Sequence, residues 1–341
     1  IPIDVIISPE TEVADAVLRR LALPGAFDAA NFCGNKVQMV GIEIEDDCPI
    51  IDTPLTQLTD LFADLRSIVV GIHRNGKLYV PSFGDSLEVG DEVYVITATS
   101  DTERTLKLFG HTEKEARRIV LIGAGNIGLQ VAKKLELNAG RYSVNVIEAS
   151  EKRANVAAEA LDHTIVLQGS GLAPEILREA GAGRSEIVVS LTNDDQVNIL
   201  TSMLALQEGC ARSLCLINEN AFHRLAGNFG METAINPRAI TVSSVLGHVR
   251  RGRILRVHAI ADGIGEVIEA EAMDTSPLVG QRIRDLDLPD GIRFGSIVRE
   301  GEVIMPRGDT EIFAGDRIVL FALADAVDEL SSLFRVSIEY I

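Results

Sequence analysis

Between Arg118 and Glu148 the chain reads RIVLIGAGNIGLQVAKKLELNAGRYSVNVIE. Arg118–Ile122 has the length and apolar run of a buried strand, and Ser143–Ile147 repeats that pattern. Asn126–Leu137 carries Ile127, Val131 and Leu135 at helical spacing. Gly123-Ala-Gly125-Asn-Ile-Gly128 joins the first strand to the helix. A lone GxGxxG is a weak signal. Here it follows a strand, opens a helix, and is followed by Glu148, 20 residues after Gly128, where the second strand should end. Gly123 permits the tight turn, Gly125 lets a pyrophosphate approach the backbone, and Gly128 lets helix and strand pack closely. The helix N-terminus supplies free N–H groups and positive partial charge for phosphate. The Glu148 carboxylate can accept hydrogen bonds from ribose hydroxyls and would repel a 2′-phosphate, so the pattern favours NAD or NADH over NADP. Arg153 works against that exclusion. Two blander readings compete: glycines that serve only the turn, and a solvated strand-end carboxylate at 148.

The alternation continues downstream. Ala154–Leu161, Ile165–Leu167, Pro174–Ala180, Ile187–Leu191, Val197–Gln207, Ser213–Ile217 and Ala221–Phe229 read in turn as helix, strand, helix, strand, helix, strand and helix. This predicts an α/β fold, a doubly wound parallel Rossmann domain over residues 117–240. Ligands bind such sheets beyond the carboxyl ends of the strands. Two more loops fall there, Gln168-Gly-Ser-Gly171 and Leu191-Thr-Asn-Asp-Asp195. Thr192-Asn-Asp194 also reads simply as a helix N-cap, and both roles are compatible. The candidate cofactor-binding residues are Gly123, Ala124, Gly125, Asn126, Ile127 and Gly128 in the first loop and Glu148, Ala149 and Arg153 after the second strand. Gly169, Ser170, Thr192, Asn193 and Asp194 complete the set from the later loops. No catalytic or metal-binding residue is assigned.

A long repeat surrounds this block. Arg74-Asn-Gly-Lys-Leu-Tyr-Val-Pro81 resembles Arg299-Glu-Gly-Glu-Val-Ile-Met-Pro306, and Gly76/Gly301, Pro81/Pro306 and Phe109/Phe334 are each 225 residues apart. Upstream, Val5-Ile-Ile-Ser-Pro9 resembles Thr233-Ala-Ile-Asn-Pro237, an offset of 228. The Rossmann domain is therefore flanked by two copies of a small α/β lobe, at 31–113 and 263–341. Residues 1–30 read as the remnant strand and crossover helix of a first Rossmann lobe. Residues 241–262 read as a crossover helix (Val242–Leu255) and linker. The chain starts at Ile1 in mid-strand, so it is expected to be a fragment whose parent carries roughly 110 more residues. The second lobe reads as strand Glu266–Ala272, short helix Arg282–Leu286, hairpin Ser296–Arg299 with Glu302–Met305, strand Arg317–Ala322 and a helix. The tail Arg335–Ile341 could add an edge strand.

Composition excludes several classes. Of the 341 residues, 46% are hydrophobic and 24% charged, the balance of a folded soluble chain. A net charge of −18 argues against nucleic acid and anionic lipid, and 4% aromatics with no Trp argues against a base-stacking platform. No apolar run is long enough to span a membrane. Cys33, Cys48, Cys210 and Cys215 form no CxxC pair, and the six histidines show no metal spacing. The acidic surface would suit basic loops of a membrane protein, though solubility alone explains it.

Val120–Gly128, Val189-Ser-Leu-Thr-Asn-Asp-Asp195 with Val197-Asn198, and the two Gly-Asp modules at Gly90-Asp91 and Gly315-Asp316 resemble the TrkA family of Trk potassium-uptake regulatory proteins, built from regulator-of-potassium-conductance domains. The resemblance covers nearly the whole chain. It implies units that pair a Rossmann lobe with a small C-terminal lobe. Such units form rings or paired assemblies on the cytoplasmic face of a potassium channel-like subunit, and nucleotide binding alters ion flux. By motif match, Gly123, Gly125 and Gly128 take the phosphate role, Glu148 the ribose role, and Thr192 to Asp194 line the site. The family's Asp near the adenosine end is replaced here by Ser170, which brings no charge.

The leading expectation is a non-enzymatic regulatory subunit, cytoplasmic and peripheral to the inner face of the membrane. It would bind NAD or NADH, with ATP and ADP as alternatives that share the adenosine–phosphate portion. Its partners would be a membrane potassium transporter subunit and further copies of itself, as a dimer or tetramer. The alternative is an NAD-dependent dehydrogenase, which needs a proton donor or acceptor at the nicotinamide. His223 and His258 have no obvious partner carboxylate, and Gly169-Ser-Gly171 lacks the nucleophile-elbow spacing. A third reading makes the lobes ion sensors through Asp85, Asp91, Asp309 and Asp316, residues that turns also favour.

Overall fold

A computed structural model of the chain describes residues 7–138, 140–219, 221–222, 233–249, 254–327, 329–330 and 334. They divide into two units, one within Ile1–Pro24 and Lys114–Thr241, the other within Gly25–Glu113 and Val242–Ile341. The first described element, helix α1 (Pro9–Ala22), starts where the Ser8 hydroxyl accepts the Thr11 N–H. Pro9 occupies the first turn, and acidic Glu10 and Glu12 and basic Arg19 and Arg20 lie at the ends where the helix dipole favours them.

Next come β1 (Ala26–Phe32), β2 (Val37–Glu43), α2 (Leu55–Leu61), β3 (Ser67–Arg74), β4 (Lys77–Tyr79), β5 (Glu92–Ala98) and α3 (Thr102–Leu108). The strands form an antiparallel sheet in the order β1-β2-β5-β3-β4.

The central block follows as β6 (Arg118–Ile122), α4 (Asn126–Glu136), β7 (Ser143–Glu148), α5 (Glu151–Ala160), β8 (Ile165–Gln168), α6 (Pro174–Glu179), β9 (Ile187–Ser190), α7 (Asp195–Gln207), β10 (Ser213–Leu216), β11 (Thr233–Ile235) and α8 (Pro237–Val249). All pairings are parallel, in the order β11-β10-β9-β6-β7-β8. This is the doubly wound order with its switch point between β6 and β9. Strand alternation buries both faces. Ile119 and Leu121 enter a core with Val131 and Leu135 of α4, while Val120 and Ile122 enter the opposite core with Leu177 and Ala205. Val13, Ala14, Val17 and Leu21 of α1 join the α4-side core, and Asp15 pairs with Lys134. The segment read from sequence as a separate remnant thus supplies a helix that covers the central sheet.

The chain closes with β12 (Ile254–Ile260), β13 (Gly265–Glu271), β14 (Ile292–Arg299), β15 (Glu302–Ile304) and β16 (Arg317–Leu323), ordered β12-β13-β16-β14-β15. The copies match strand for strand: β1 and β2 recur 228 residues on as β12 and β13, and β3, β4 and β5 recur 225 on as β14, β15 and β16. A bulge interrupts β3 between Val69 and Gly71, and β14 at the equivalent place between Phe294 and Ser296. Arg74 grips the buried Asp91 through Nε and Nη2 at 2.7 and 2.6 Å, and Arg299 grips Asp316 at 2.8 and 2.8 Å. Each Asp also accepts a turn N–H, from Glu88 or Phe313.

The two lobes share an apolar core. Phe32, Val37, Met39 and Ile96 cluster with Val267, Val298, Val319 and Phe321. Gly71 lies against Phe321, and Gly295 against Ile96, the residue equivalent to Phe321. Glu269 accepts the Cys33 N–H of the opposite lobe at 2.8 Å and pairs with Arg317.

Several boundaries differ from the sequence reading. Residues 26–30 belong to a lobe strand rather than to the remnant. Ala26-Phe-Asp-Ala-Ala-Asn-Phe32 has no β-branched residue, so its strand character comes from pairing with β2. Residues 254–260 form β12 rather than a linker. The helix expected at Val242–Leu255 runs from Pro237 to Val249, because the Asn236 side chain accepts the Arg238 and Ala239 N–H groups and starts it earlier. The helix expected at 282–286 is a single 3-10 turn, Ile283–Asp285. Most of the Ala221–Phe229 helix, His223, and the Arg335–Ile341 strand lie outside the described residues.

A Cβ on Gly295 would sit 2.1 Å from Ile96 Cδ1. Gly295→Val is expected to cost about 1–3 kcal/mol through overpacking, read as a lower urea midpoint. Gly84→Ala, at a position with open space, is expected to shift it by less than about 0.5 kcal/mol.

Candidate functional site

The glycine loop follows β6 and the Leu191–Asp194 loop follows β9, so they leave neighbouring strands at the switch point. They touch: a Cβ on Gly123 would lie 3.2 Å from the Thr192 methyl and 3.3 Å from the Leu191 backbone. Gly123 has φ +97°, and its N–H donates to the Ile147 carbonyl at 2.8 Å. Only glycine adopts that turn without strain. A Cβ on Gly128 would meet the Gly123 carbonyl oxygen at 1.9 Å. Beside Gly125 a Cβ would meet nothing within 4 Å, and α4 starts there with no side-chain cap. The sequence thus folds an open approach to an uncapped helix end. Ile127 is half-buried and packs its side chain against the core on the α4 side of the sheet. Asn126 is exposed, and its amide donates to Glu10 of α1 at 3.4 Å.

Glu148 ends β7 and is only 3% exposed. Its Oε2 accepts the Ala124 N–H at 2.7 Å, so it is tied directly to the glycine loop. Its Oε1 accepts the Ser150 N–H at 2.8 Å and the Arg153 guanidinium through Nε at 3.2 Å and Nη2 at 3.1 Å. Burial alone would push this carboxyl's pKa up. The hydrogen bonds from Ser150, Ala124 and Arg153 outweigh that and hold it below the ordinary value, so Glu148 is a carboxylate at neutral pH.

Gly169 follows β8, and its N–H donates to the Glu148 carbonyl at 2.9 Å. Ala149 is exposed at the strand end. Ser170 is exposed and serves its own turn, its hydroxyl accepting the Leu172 N–H at 3.2 Å. Asp194 caps α7 by accepting the Gln196 and Val197 N–H groups. Asn193, beside it, is exposed. The structure therefore brings Gly123, Ala124, Glu148, Arg153, Gly169 and Thr192 together by direct contacts, while Ser170 and Asp194 are engaged locally.

The sequence reading gave no role to two organising residues. Asn198 is fully buried. Its Oδ1 accepts from the Thr192 N–H at 3.0 Å and the Thr192 hydroxyl at 2.7 Å, and its Nδ2 donates to the Thr192 and Leu216 carbonyls. Asp195 accepts from the Asn218 N–H and side-chain amide and from the Glu219 N–H, each at 2.9 Å, and so fixes the loop after β10. The available signal was polarity at apolar helix positions. Asp195 and Asn198 lie three apart on the α7 face that also carries buried Ser202.

Other candidates are engaged elsewhere. Asp91 and Asp316 are held by their arginines, and Asp85 accepts the Ser82 N–H. His258 faces Asp28 at 2.9 Å in the second unit. Burial pushes the Cys33 and Cys215 thiols up to about 12, so neither is a thiolate. Among the described residues no group of three or more His, Cys, Asp or Glu is placed to hold a metal, and no helix is long and apolar enough to cross a membrane. A cleft of about 650 Å³ lined by Arg118, Ser143, Asn145 and Arg184 opens at the amino ends of β6 and β7, away from the carboxyl ends where such sheets bind ligands.

Comparison with known proteins gives consistent matches. The TrkA-N domain family matches residues 119–237, and the TrkA-C domain family matches twice, at 39–110 and 267–335. The Trk system potassium uptake protein TrkA of Azorhizobium caulinodans is 50% identical over 339 residues, 99% of this chain and 74% of that protein. Its counterpart in Halomonas elongata is 35% identical over 344 residues, covering 100% and 75%. The GsuK RCK domain superposes with a TM-score of 0.51 at 17% identity, covering 96% of this chain and 70% of that one. The GsuK channel bound to NAD superposes with a TM-score of 0.51 at 16% identity, covering 96% and 58%. At these identities the two structures speak to the fold.

Asn198→Ala leaves the Thr192 N–H and two carbonyls without their partner and is expected to cost about 1–3 kcal/mol in urea unfolding. Glu148 gives a pH signature. Its folded pKa is depressed, so its stabilisation is present above the unfolded value of about 4.3 and is lost as pH falls through the lower folded value. Unfolding followed from pH 7 down to pH 3 is expected to show that loss below about pH 4.3 in the wild type and a smaller one in Glu148→Gln.

Proposed function

The chain belongs to the TrkA family, and from that membership we propose that it is a cytoplasmic, nucleotide-binding regulatory subunit of a potassium uptake system. It gates a membrane transporter subunit through NAD or NADH, or through ATP or ADP. The observation that carries this reading is the Glu148 carboxylate, buried at the switch-point mouth and bonded to the Ala124 N–H of the glycine loop. In this reading the α4 N-terminus and the Gly123–Gly128 loop hold the phosphates. Glu148 takes the adenosine ribose, and Thr192, Asn193 and Asp194 border the site with Gly169 and Ser170 on its other side.

The relatives' shared name, Trk system potassium uptake protein, supports the transport role. The GsuK channel, of the same fold, is bound to NAD. A non-enzymatic role fits a buried Glu148 whose two oxygens are each tied to a backbone N–H, Ala124 on Oε2 and Ser150 on Oε1, so that it positions the loops. Ligand affinity that differs between two arrangements of the assembly supplies the regulation. A homo-oligomer, dimer or tetramer, docks peripherally on the inner membrane face. The net charge of −18 disfavours nucleic acid as a partner.

Titration calorimetry with NADH, NAD, ADP and ATP tests this. Binding of at least one is expected, weakened roughly 10- to 100-fold in Glu148→Ala by loss of charge-assisted hydrogen bonds. No binding by any ligand, or equal binding by the variant, would overturn the assignment.

A further inference from the structure

The Glu148 carboxylate has about four acceptor positions, and four N–H groups already point at it. They are unequal. The Ala124 and Ser150 bonds are short, come from backbone, and bind the side chain to the loop and strand end. The two from Arg153 are long, share Oε1 with Ser150, and come from a guanidinium that is 60% exposed. The guanidinium end of this pair is open to water, which can solvate it when it leaves, so the Arg153 bonds exchange more readily than the two backbone ones.

We propose that Arg153 is a specificity-determining residue that occupies the sugar position on Glu148 and yields it to a ribose with a free 2′,3′-diol. The inference rests on the nucleotide reading of this site. A cis-diol brings two O–H donors. One takes the remaining acceptor position on Oε2, and the other replaces the Arg153 fork on Oε1, while the Ala124 and Ser150 bonds stay in place. A ribose lacking one hydroxyl satisfies only the open position and leaves Arg153 where it is. Arg153 therefore taxes diol ligands and leaves deoxy ligands untouched.

The test is titration of the chain and of Arg153→Ala with ADP and with 2′-deoxy-ADP. The Ala124 and Ser150 bonds still hold Glu148 in the variant, so it is expected to fold with at most a small fall in melting temperature, and ligand binding is compared below that temperature. The expected result is ADP binding about two- to fivefold tighter in Arg153→Ala, with no gain for 2′-deoxy-ADP. Unchanged or weaker ADP binding in the variant, or an equal gain for both ligands, would overturn the role of Arg153 while leaving the nucleotide site standing. No binding of either ligand to either protein would overturn the nucleotide reading and this inference with it.

Discussion

Glu148 carries a negative charge into a place where little of it meets water, and the loops around it are arranged to offset that. Desolvating a carboxylate costs several kcal/mol unless hydrogen bonds replace the lost water. Two of the replacements are backbone N–H groups, one from the glycine loop at Ala124 and one from Ser150 at the start of α5. The loop after β6 and the end of β7 are thereby held in one geometry. Gly123 and Gly128 make that geometry possible, the first through a positive φ and the second through the missing Cβ under the Gly123 carbonyl. Asn198 does the equivalent for the loop after β9, and Asp195 for the loop after β10. Three loops at the carboxyl ends of β6, β9 and β10 are thus set by buried polar side chains before any ligand arrives, which lowers the ordering cost of binding.

The lobes solve a different problem. Each five-stranded sheet has two faces to cover. In the second lobe one face packs on that lobe's own connecting segments through Leu278 and Ile312, and the facing sides of the two sheets pack on each other through Phe32, Met39, Val319 and Phe321. Association of duplicated lobes is satisfied within the chain. The turn before the last strand of each copy is fixed by one buried Asp, held by one Arg and one backbone N–H. Leaving such a carboxylate without its arginine is far more damaging than leaving out both, which explains why the Gly-Asp dipeptide and the distant Arg keep their spacing in both copies.

Much of this was legible in the residues. Arg118–Glu148 spelled out strand, glycine turn, helix and strand, and the alternation to Ile217 made the sheet parallel. The 225-residue register between Gly76 and Gly301 predicted two lobes whose last three strands coincide. What was not legible depends on tertiary partners. β1 has a poor strand sequence and is a strand because β2 lies beside it. α1 shows a clear apolar stripe but nothing in its sequence names α4 as the helix beside it. Asn198 and Asp195 look like ordinary helix residues until the loops they hold are in view. Motif position places Ile127 and Ser170 in the loops but does not show that the first packs its side chain against the core or that the second's hydroxyl accepts the Leu172 N–H.

Hydrogen–deuterium exchange of the chain with and without saturating NADH tests the central claim most directly, because it reads the backbone of all these loops at once. Slower exchange in residues 123–129, together with 169–172 and 192–197, and no change around the Arg118, Ser143 and Arg184 cleft, is the predicted result. Protection confined to the small lobes or to that cleft, with the glycine loop unchanged, would contradict it.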